Sequence, residues 1–241
     1  MKLTIRKSQE RGHADHGWLD SRHTFSFADY YDPAHMGFRS LRVINEDYIE
    51  PGAGFPTHPH RDMEIFSYVV SGVLEHRDSM GNRRQLTPGQ IQLMRAGTGV
   101  THSEFNPSPA ERVHLLQIWI EPRKKGLSPA YTEWVPSPET EREGKTLVIS
   151  PDGSIGSARI EQDVRVYLVR LEDGKDFAHE LAAGHGLWFQ LIQGAVETSE
   201  GRLEPGDAVS SEQAGGFSAR AYGGVAALLF DFANKAVCLS S

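Results

Sequence analysis

The chain consists of short apolar runs separated by turn residues, and this punctuation limits the folds open to it. Ile65–Val70, Ile91–Met94 and Val113–Ile120 are runs of this kind, and turn signals such as Ser71-Gly72 and Pro88-Gly89 separate them. Runs of this length are typical of strands. An amphipathic α-helix needs a longer segment with apolar residues every three or four positions, and the sequence contains no convincing segment of that kind. The pattern predicts an all-β protein of the sandwich or jelly-roll barrel type.

The same pattern occurs again in the C-terminal half of the chain. The matching segments are 72–75 with 194–197, 86–90 with 203–207, and 113–120 with 225–232. Such repetition indicates tandem copies of one structural unit. Residues 122–146, which lie between the copies, are rich in proline and charge and are predicted to be a linker. We therefore predict two domains, at residues 1–121 and 147–241.

Composition excludes several classes of function. The 241 residues include 25 Lys and Arg against 32 Asp and Glu, and no long basic run occurs, which disfavours direct binding of nucleic acid. The sequence has no apolar stretch long enough to span a membrane and no sign of a signal peptide, so a cytoplasmic location is expected. Cys238 is the single cysteine, which excludes an internal disulfide and cysteine-based metal sites.

Two short polar motifs carry side chains that bind metals. His58-Pro59-His60 and His102-Ser103-Glu104 each place two such side chains at positions i and i+2, which lie on the same face of a β-strand. If both segments are strands that line one barrel, three imidazoles and a carboxylate meet in its interior. The sequence therefore predicts a metal site, although a His-x-His pair alone is a weak signal.

Three longer signatures surround these motifs: HTFSFADYYDP at 23–33, FPTHPHRDMEI at 55–65 and AGTGVTHSEFN at 96–106. Together they resemble the pirin family of the cupin superfamily, in particular its bacterial quercetinase-type members, over essentially the whole chain. The resemblance implies a bicupin, with two jelly-roll β-barrels in tandem. It also implies an iron-type metal held at the positions of His58, His60, His102 and Glu104.

The second cupin is predicted to lack a metal site. Its histidines, His179 and His185, have no His or Glu two residues on. In the first cupin, three neutral imidazoles and one carboxylate suit Fe(II), Zn, Mn, Ni, Co or Cu, and the residues alone do not choose among them. The resemblance favours iron.

The activity implied by the resemblance is that of a quercetin 2,3-dioxygenase, which opens the central ring of a flavonol with O₂. Glu104 is then the candidate catalytic base as well as a ligand. The alternative is a non-catalytic iron-binding protein that senses redox state and acts on a protein partner. Fold does not decide between them, because cupins host many chemistries.

Further site residues are predicted from strand periodicity. If the strand continues from His58 without a bulge, Glu64, Phe66 and Tyr68 share the face of the histidines, and Ile65 and Val69 face outward. Glu64 is then a candidate either to orient a ligand histidine or to bind the metal itself. The candidate wall residues for a flat aromatic substrate are Phe55, Phe66, Tyr68 and Met94.

The remaining histidines of the N-terminal half are given no role in the site. Gly12–Tyr31 is predicted to be irregular, with histidines that bond the backbone around a core of Trp18 and nearby aromatic residues. His76 and His114 are interpreted as strand histidines whose hydrogen bonds are satisfied locally.

Overall fold

The computed structural model describes residues 1–138 and 144–233, and over these ranges the regular structure is almost entirely β-strand. Two single turns of 3₁₀-helix, Ser8–Glu10 and Ser154–Gly156, are the exceptions within the described residues. No helix in these ranges is long and apolar enough to cross a membrane. The all-β prediction is confirmed.

The strands are numbered in chain order. They are β1 (Thr4–Arg6), β2 (Gly12–Asp15), β3 (Leu19–His23), β4 (Leu41–Ile49), β5 (Gly54–His60), β6 (Glu64–Ser71), β7 (Leu74–Asp78), β8 (Arg83–Leu86), β9 (Ile91–Arg95), β10 (Val100–Phe105), β11 (Val113–Ile120), β12 (Ala130–Trp134), β13 (Gly144–Ser150), β14 (Ala158–Arg159), β15 (Val164–Leu171), β16 (Asp176–Leu181), β17 (Gly186–Thr198), β18 (Gly201–Leu203), β19 (Ala208–Ser211) and β20 (Gly215–Phe232).

The described residues form two compact units. The first comprises Gly12–Val135 and Ile160–Gln162, and the second takes Met1–Arg11 and most of the described chain beyond residue 135. These boundaries differ from the predicted ones at four places, one of which is Ile160–Gln162. β1 pairs with β19, so the N-terminal strand belongs to the second unit. Inside the predicted linker, β12 pairs with β9 of the first unit and β13 begins at Gly144 of the second. Linker residues 139–143 and Cys238 lie outside the described ranges.

The first unit is a sandwich of two sheets. Within the described residues, one sheet has seven strands in the order β12-β9-β6-β11-β4-β3-β2, and the other has four in the order β5-β10-β7-β8. Leu19, Ile49 and Val69 from the larger sheet pack with Leu74 and Leu86 from the smaller one. Each buried side chain of this size stabilises the fold by about 1.5–3 kcal/mol, so the alternating apolar residues hold the two sheets face to face.

The second unit is built around the long strands β17 and β20, and Phe177, Phe189 and Phe217 lie in its apolar core. The predicted repeat is visible in the backbone. Gly72, in the bend between β6 and β7, and Gly194, at a register shift within β17, have φ of 78° and 74°, a region that favours glycine. A Cβ at either position would lie within 2.6 Å of a backbone oxygen. Both units fit the jelly-roll fold of cupins, and each has a glycine with positive φ at this matching position.

Candidate metal centre

Neighbouring strands of the four-stranded sheet carry the two predicted motifs. β5 and β10 run antiparallel with His58 opposite His102. A register shift follows His102, so that Glu104 lies opposite Phe55. Because i and i+2 share a strand face, both members of each motif are presented on one side of the sheet. The pairing of β5 with β10 therefore brings the two motifs to neighbouring positions on one sheet.

The three imidazoles form a compact cluster. The Nε2 atoms of His58 and His102 are 3.0 Å apart. The ring centroids of His58, His60 and His102 lie 4.5–4.8 Å from one another. The Nδ1 of His58 is 2.7 Å from the carbonyl oxygen of Pro56, so Nδ1–H donates there and the Nε2 lone pair faces the cluster. Such an arrangement fits a shared cation, because the carbonyl fixes the tautomer that leaves Nε2 free to ligate.

Glu104 lies beside this cluster and is firmly held. The residue as a whole is 2% exposed. One oxygen accepts a hydrogen bond from Ser67 Oγ at 2.8 Å, and the other accepts from Gln117 Nε2. A carboxylate oxygen of Glu104 also lies within 4.8 Å of ring nitrogens of His102 and His76. His102 is thus close both to the other two histidines and to the glutamate, and the donor set fits a divalent metal.

His76 is a neighbour of the site that sequence reasoning left out. It is fully buried on β7, where it lies opposite Glu104. Its Nε2 is 3.0 Å from Asp78 Oδ2, and its ring centroid is 5.3 Å from that of His102. The interpretation as a locally satisfied strand histidine holds for Nε2 only, because Nδ1 is buried without a hydrogen-bond partner within the described residues. Its proximity to Glu104 depends on strand pairing, which the spacing of these residues does not reveal.

Two of the three histidines, His60 and His102, strongly resist protonation. Burial, together with the other imidazoles, lowers the pKa of His102 to about 3 and that of His60 to about 4, from an ordinary value of 6.5. Neutral imidazoles are the form that binds metal, so these side chains keep their lone pairs available well below neutral pH. The electrostatic cause is mutual, because each added positive charge would face the others at short range.

The metal-free protein is therefore expected to lose stability on acidification through His102. Its folded-state pKa lies below the unfolded value, so the unfolded chain binds the proton first and stability falls as the pH drops below about 6.5. Between pH 7 and pH 5 this loss should be about 2 kcal/mol from His102 alone. Urea unfolding at a series of pH values measures it.

The matched comparison is the metal-free His102→Leu variant, which lacks the titrating ring. The buried carboxyls of Asp47 and Glu64, whose pKa values burial raises to about 7, titrate in the opposite sense but are present in both proteins. The slope of stability against pH should be smaller in the variant. Equal slopes in the wild type and the variant would contradict the lowered pKa of His102.

A cavity of about 700 Å³ adjoins the cluster in the first unit. Trp18 and Phe55 meet edge to face with ring centroids 5.2 Å apart, and Phe27 and Trp119 do so at 5.5 Å. The residues that line the cavity are His13, Ala14, His16, Trp18, Leu19, Ser21, His23, Phe27, Ala28, Asp29, Tyr30, Asn45, Asp47, Phe55, Pro56, His58, His60, Glu104, Gln117 and Trp119. Flat aromatic walls interspersed with many polar side chains fit an aromatic ligand that carries polar groups.

Of the four predicted wall residues, Phe55 lines the cavity. Phe66, Tyr68 and Met94 are buried but are not among its lining residues. The predicted strand continuity is wrong, because β5 ends at His60 and Asp62 has a left-handed φ of 48° before β6 begins in the other sheet. Because of this turn, the alternation of inward and outward side chains on β5 does not continue into β6.

On β6 the inward positions are consequently the odd-numbered ones. Ser67 bonds Glu104, and Ile65 and Val69 pack in the apolar clusters of the first unit. The expectation that Ile65 and Val69 face outward is therefore also wrong. Met94, opposite Ile65 on β9, belongs to the same apolar cluster as Ile65 and fills the sandwich interior.

Glu64 takes a role that differs from both predicted ones. Its oxygens accept hydrogen bonds from the backbone N–H groups of Glu161 and Gln162, at 2.7 and 2.9 Å. Neither bond orients a histidine, and Glu64 is absent from the metal-capable groups found in the described residues. It instead ties the segment Ile160–Gln162 to the rest of the first unit. These partners lie almost a hundred residues further along the chain, and local spacing gives no signal for them.

Gly12–Tyr31 is more ordered and closer to the site than predicted. It contributes β2 and β3 to the seven-stranded sheet, and His13, His16 and His23 line the cavity. The alternation of Ser21 and His23 on β3 was an available signal. The polar character of these inward positions concealed it, because strand faces toward a core are expected to be apolar.

Two jelly-roll units in tandem, one of which carries three histidines and a glutamate on adjoining strands beside an aromatic cavity, define a bicupin with a candidate metal centre. The chain belongs to the pirin family, whose profile matches residues 4–120, and a profile described as the quercetinase C-terminal cupin domain matches residues 147–232. The family resemblance predicted from the three signatures is confirmed.

Relatives in Escherichia coli are similar over almost the whole chain. A quercetin 2,3-dioxygenase of strain O157:H7 is 49% identical over 235 residues, which cover 95% of this chain and 98% of that protein. The crystal structure of YhhW from E. coli, at 46% identity, superposes with a TM-score of 0.93 and covers 98% of this chain and 99% of that one. The bacterial pirin YhhW in complex with nickel(II) gives 0.91, at 46% identity, and covers 97% of this chain and all of that one.

Proposed function

We propose that the protein is a metal-dependent dioxygenase that opens the central ring of flavonol-type aromatics with O₂, as a quercetin 2,3-dioxygenase does. The observation that carries the proposal is the cluster of His58, His60 and His102 beside a cavity of about 700 Å³ with aromatic walls. The names of the E. coli relatives support the same activity. In this reaction both oxygen atoms of O₂ enter the substrate and carbon monoxide leaves.

The metal in this proposal is one divalent ion held by His58, His60, His102 and Glu104. The nickel(II) complex of YhhW supports a divalent ion, and the N/O donor set of this chain suits one. Fe(II) is the ion we propose, with Ni, Mn, Co, Cu and Zn as the alternatives that the same donors accept. When bound, the ion supplies Lewis-acid polarisation and a template for substrate and O₂.

Glu104 is proposed to accept the proton of the flavonol hydroxyl. The carboxylate lines the cavity, so a substrate hydroxyl there reaches it directly. Ser67 and Gln117 fix its orientation through hydrogen bonds to both oxygens. A positioned carboxylate of this kind contributes by general base catalysis, and the aromatic walls exclude water from the transfer.

The cavity also bears on the alternative function. A redox sensor that acts on a protein partner needs the metal cluster but has no need of a substrate-sized space beside it, whereas the dioxygenase requires both. The structure therefore favours the enzyme. A protein partner and a cytoplasmic location stay predictions.

Oxygen uptake with quercetin tests the proposal. Metal-free protein reconstituted with Fe(II) should consume O₂ and release carbon monoxide in equal amounts, and the metal-free protein should do neither. The metal content of the same sample is measured in parallel. Full metal loading without oxygen uptake would overturn the dioxygenase.

A further inference from the structure

Four polar side chains form a buried patch in the cavity wall. Ser21 and His23 on β3 lie directly opposite Asp47 and Asn45 on β4. All four are at most 4% exposed, and all four line the cavity that holds His58, His60 and Glu104. Polar groups buried on the inner face of a sandwich cost free energy unless they are paired, so a patch of this kind calls for partners.

The pairing inside the patch is incomplete. Ser21 Oγ donates to Asp47 Oδ1, and His23 Nδ1 lies 2.9 Å from Asn45 Oδ1. Within the described part of the chain, Asp47 Oδ2 and the Asn45 side-chain amide Nδ2 have no hydrogen-bond partner. The two residues are i and i+2 on one strand, so β4 presents an acceptor and a donor side by side. A hydroxyl group on a ligand satisfies both, because it donates one hydrogen bond and accepts another.

The position of the patch sets the size of the ligand. Asn45 lies opposite Gln117 of β11, and Gln117 donates a hydrogen bond to Glu104. Adjacent strands are about 4.8 Å apart, so the patch on β4 and β3 begins roughly 5–10 Å from the groups that hold Glu104. That distance matches the span between hydroxyls on two linked or fused aromatic rings. The aromatic pairs Trp18–Phe55 and Phe27–Trp119 supply flat surfaces for such rings.

We propose that Asp47 and Asn45, held in place by Ser21 and His23, bind a hydroxyl of the substrate on a ring remote from the metal centre. This inference rests on the proposed function and narrows it to aromatics that carry a further hydroxyl besides the one that faces Glu104. Burial raises the pKa of Asp47 to about 7, so near neutral pH this carboxyl occurs in forms that accept and that donate. Either form suits a phenolic partner.

Binding measurements test the patch without turnover. Quercetin, which has remote hydroxyls, and 3-hydroxyflavone, which lacks them, are titrated into Ni(II)-loaded protein in the absence of O₂. Quenching of tryptophan fluorescence reports occupancy, because Trp18 and Trp119 line the cavity. Wild-type protein should bind quercetin at least about tenfold more tightly than 3-hydroxyflavone. A difference of this size is what one hydrogen bond to a charged or buried group contributes.

Asp47→Asn and Asn45→Ala should abolish most of this preference. Asp47→Asn retains the acceptor for Ser21 but replaces the free oxygen with an NH₂ group, and Asn45→Ala removes the donor. In both variants the affinity for quercetin should fall about tenfold, whereas that for 3-hydroxyflavone should change less than twofold. The matched control is Glu46→Gln, a carboxylate-to-amide change one residue along β4 whose side chain bonds His114. It should leave both affinities unchanged.

The outcomes separate this proposal from the proposed function. Equal losses for both ligands, or an unchanged preference, would overturn the patch as a hydroxyl site even if quercetin is turned over. A preference that depends on Asp47 and Asn45 would support the patch even if oxygen uptake is never observed. In that case the dioxygenase fails and the binding site stands.

Discussion

The His102→Ala variant is expected to lose its metal and, with it, all turnover. Loss of a residue that only supports a ligand typically costs 10–100-fold in metal affinity, and removal of His102 should exceed this range. His102 Nε2 is 3.0 Å from that of His58, and His102 belongs both to the three-histidine group and to the group that contains Glu104. Competitive titration of Ni(II) against a chelator measures the change.

His114→Ala is the matched control. His114 lies on β11 in the same unit, where it bonds Glu46 and stacks on Tyr48, and it is absent from the cavity lining. Its loss removes an imidazole without touching the cluster, so the metal affinity should stay within about twofold of wild type. If His102→Ala bound Ni(II) within tenfold of wild type, the proposed ligand set would be wrong.

The Glu104→Gln variant is expected to lose some metal, since one ligand is weakened, but its turnover of quercetin per bound metal should fall much further, about 10²–10⁴-fold, the usual contribution of a general base. A glutamine preserves the shape of the side chain. Its oxygen accepts from Gln117 and its NH₂ donates to Ser67, so the local hydrogen bonds survive. The proton acceptor is what the change removes. Turnover number and metal content are measured on the same sample.

Glu64→Gln provides the control for this exchange. It also converts a buried carboxylate to an amide, but at a position bonded to the backbone of Glu161 and Gln162 rather than to the cluster. Its turnover per bound metal should equal that of wild type. If Glu104→Gln lost metal and turnover in the same proportion, Glu104 would be a ligand without a role in proton transfer.

Sequence predicted those features of the fold that depend on local periodicity. Val113–Ile120 matches β11 residue for residue, because a mostly apolar run between turns leaves little choice. The linker prediction was wrong at Ala130–Trp134. Charge and proline content are properties of the segment alone and do not show that another strand is available to pair with it. The strand forms because β9 offers an edge with which it pairs.

In the site, too, features set by local periodicity were predicted and features set by distant contacts were not. His58 and His60, and His102 and Glu104, were predicted because two residues on a strand suffice to set a common face. Extrapolation from His60 to Phe66 failed at one residue, Asp62, whose left-handed backbone ends the strand. The polar inward face of β3 and β4 was missed because buried hydrogen-bonding residues have the same sequence pattern as solvent-facing ones.

Each unit contains a short segment from the other half of the chain, and this has a consequence for folding during synthesis on the ribosome. Ile160–Gln162 completes the first unit by capping Glu64, and β1 at the start of the chain pairs with β19 of the second. At about 5–20 residues per second, roughly 10–40 s separate the emergence of β1 from that of its partner. β1 therefore has no partner until β19 has been synthesised, and the second unit is complete only after β20, which ends at Phe232, has followed.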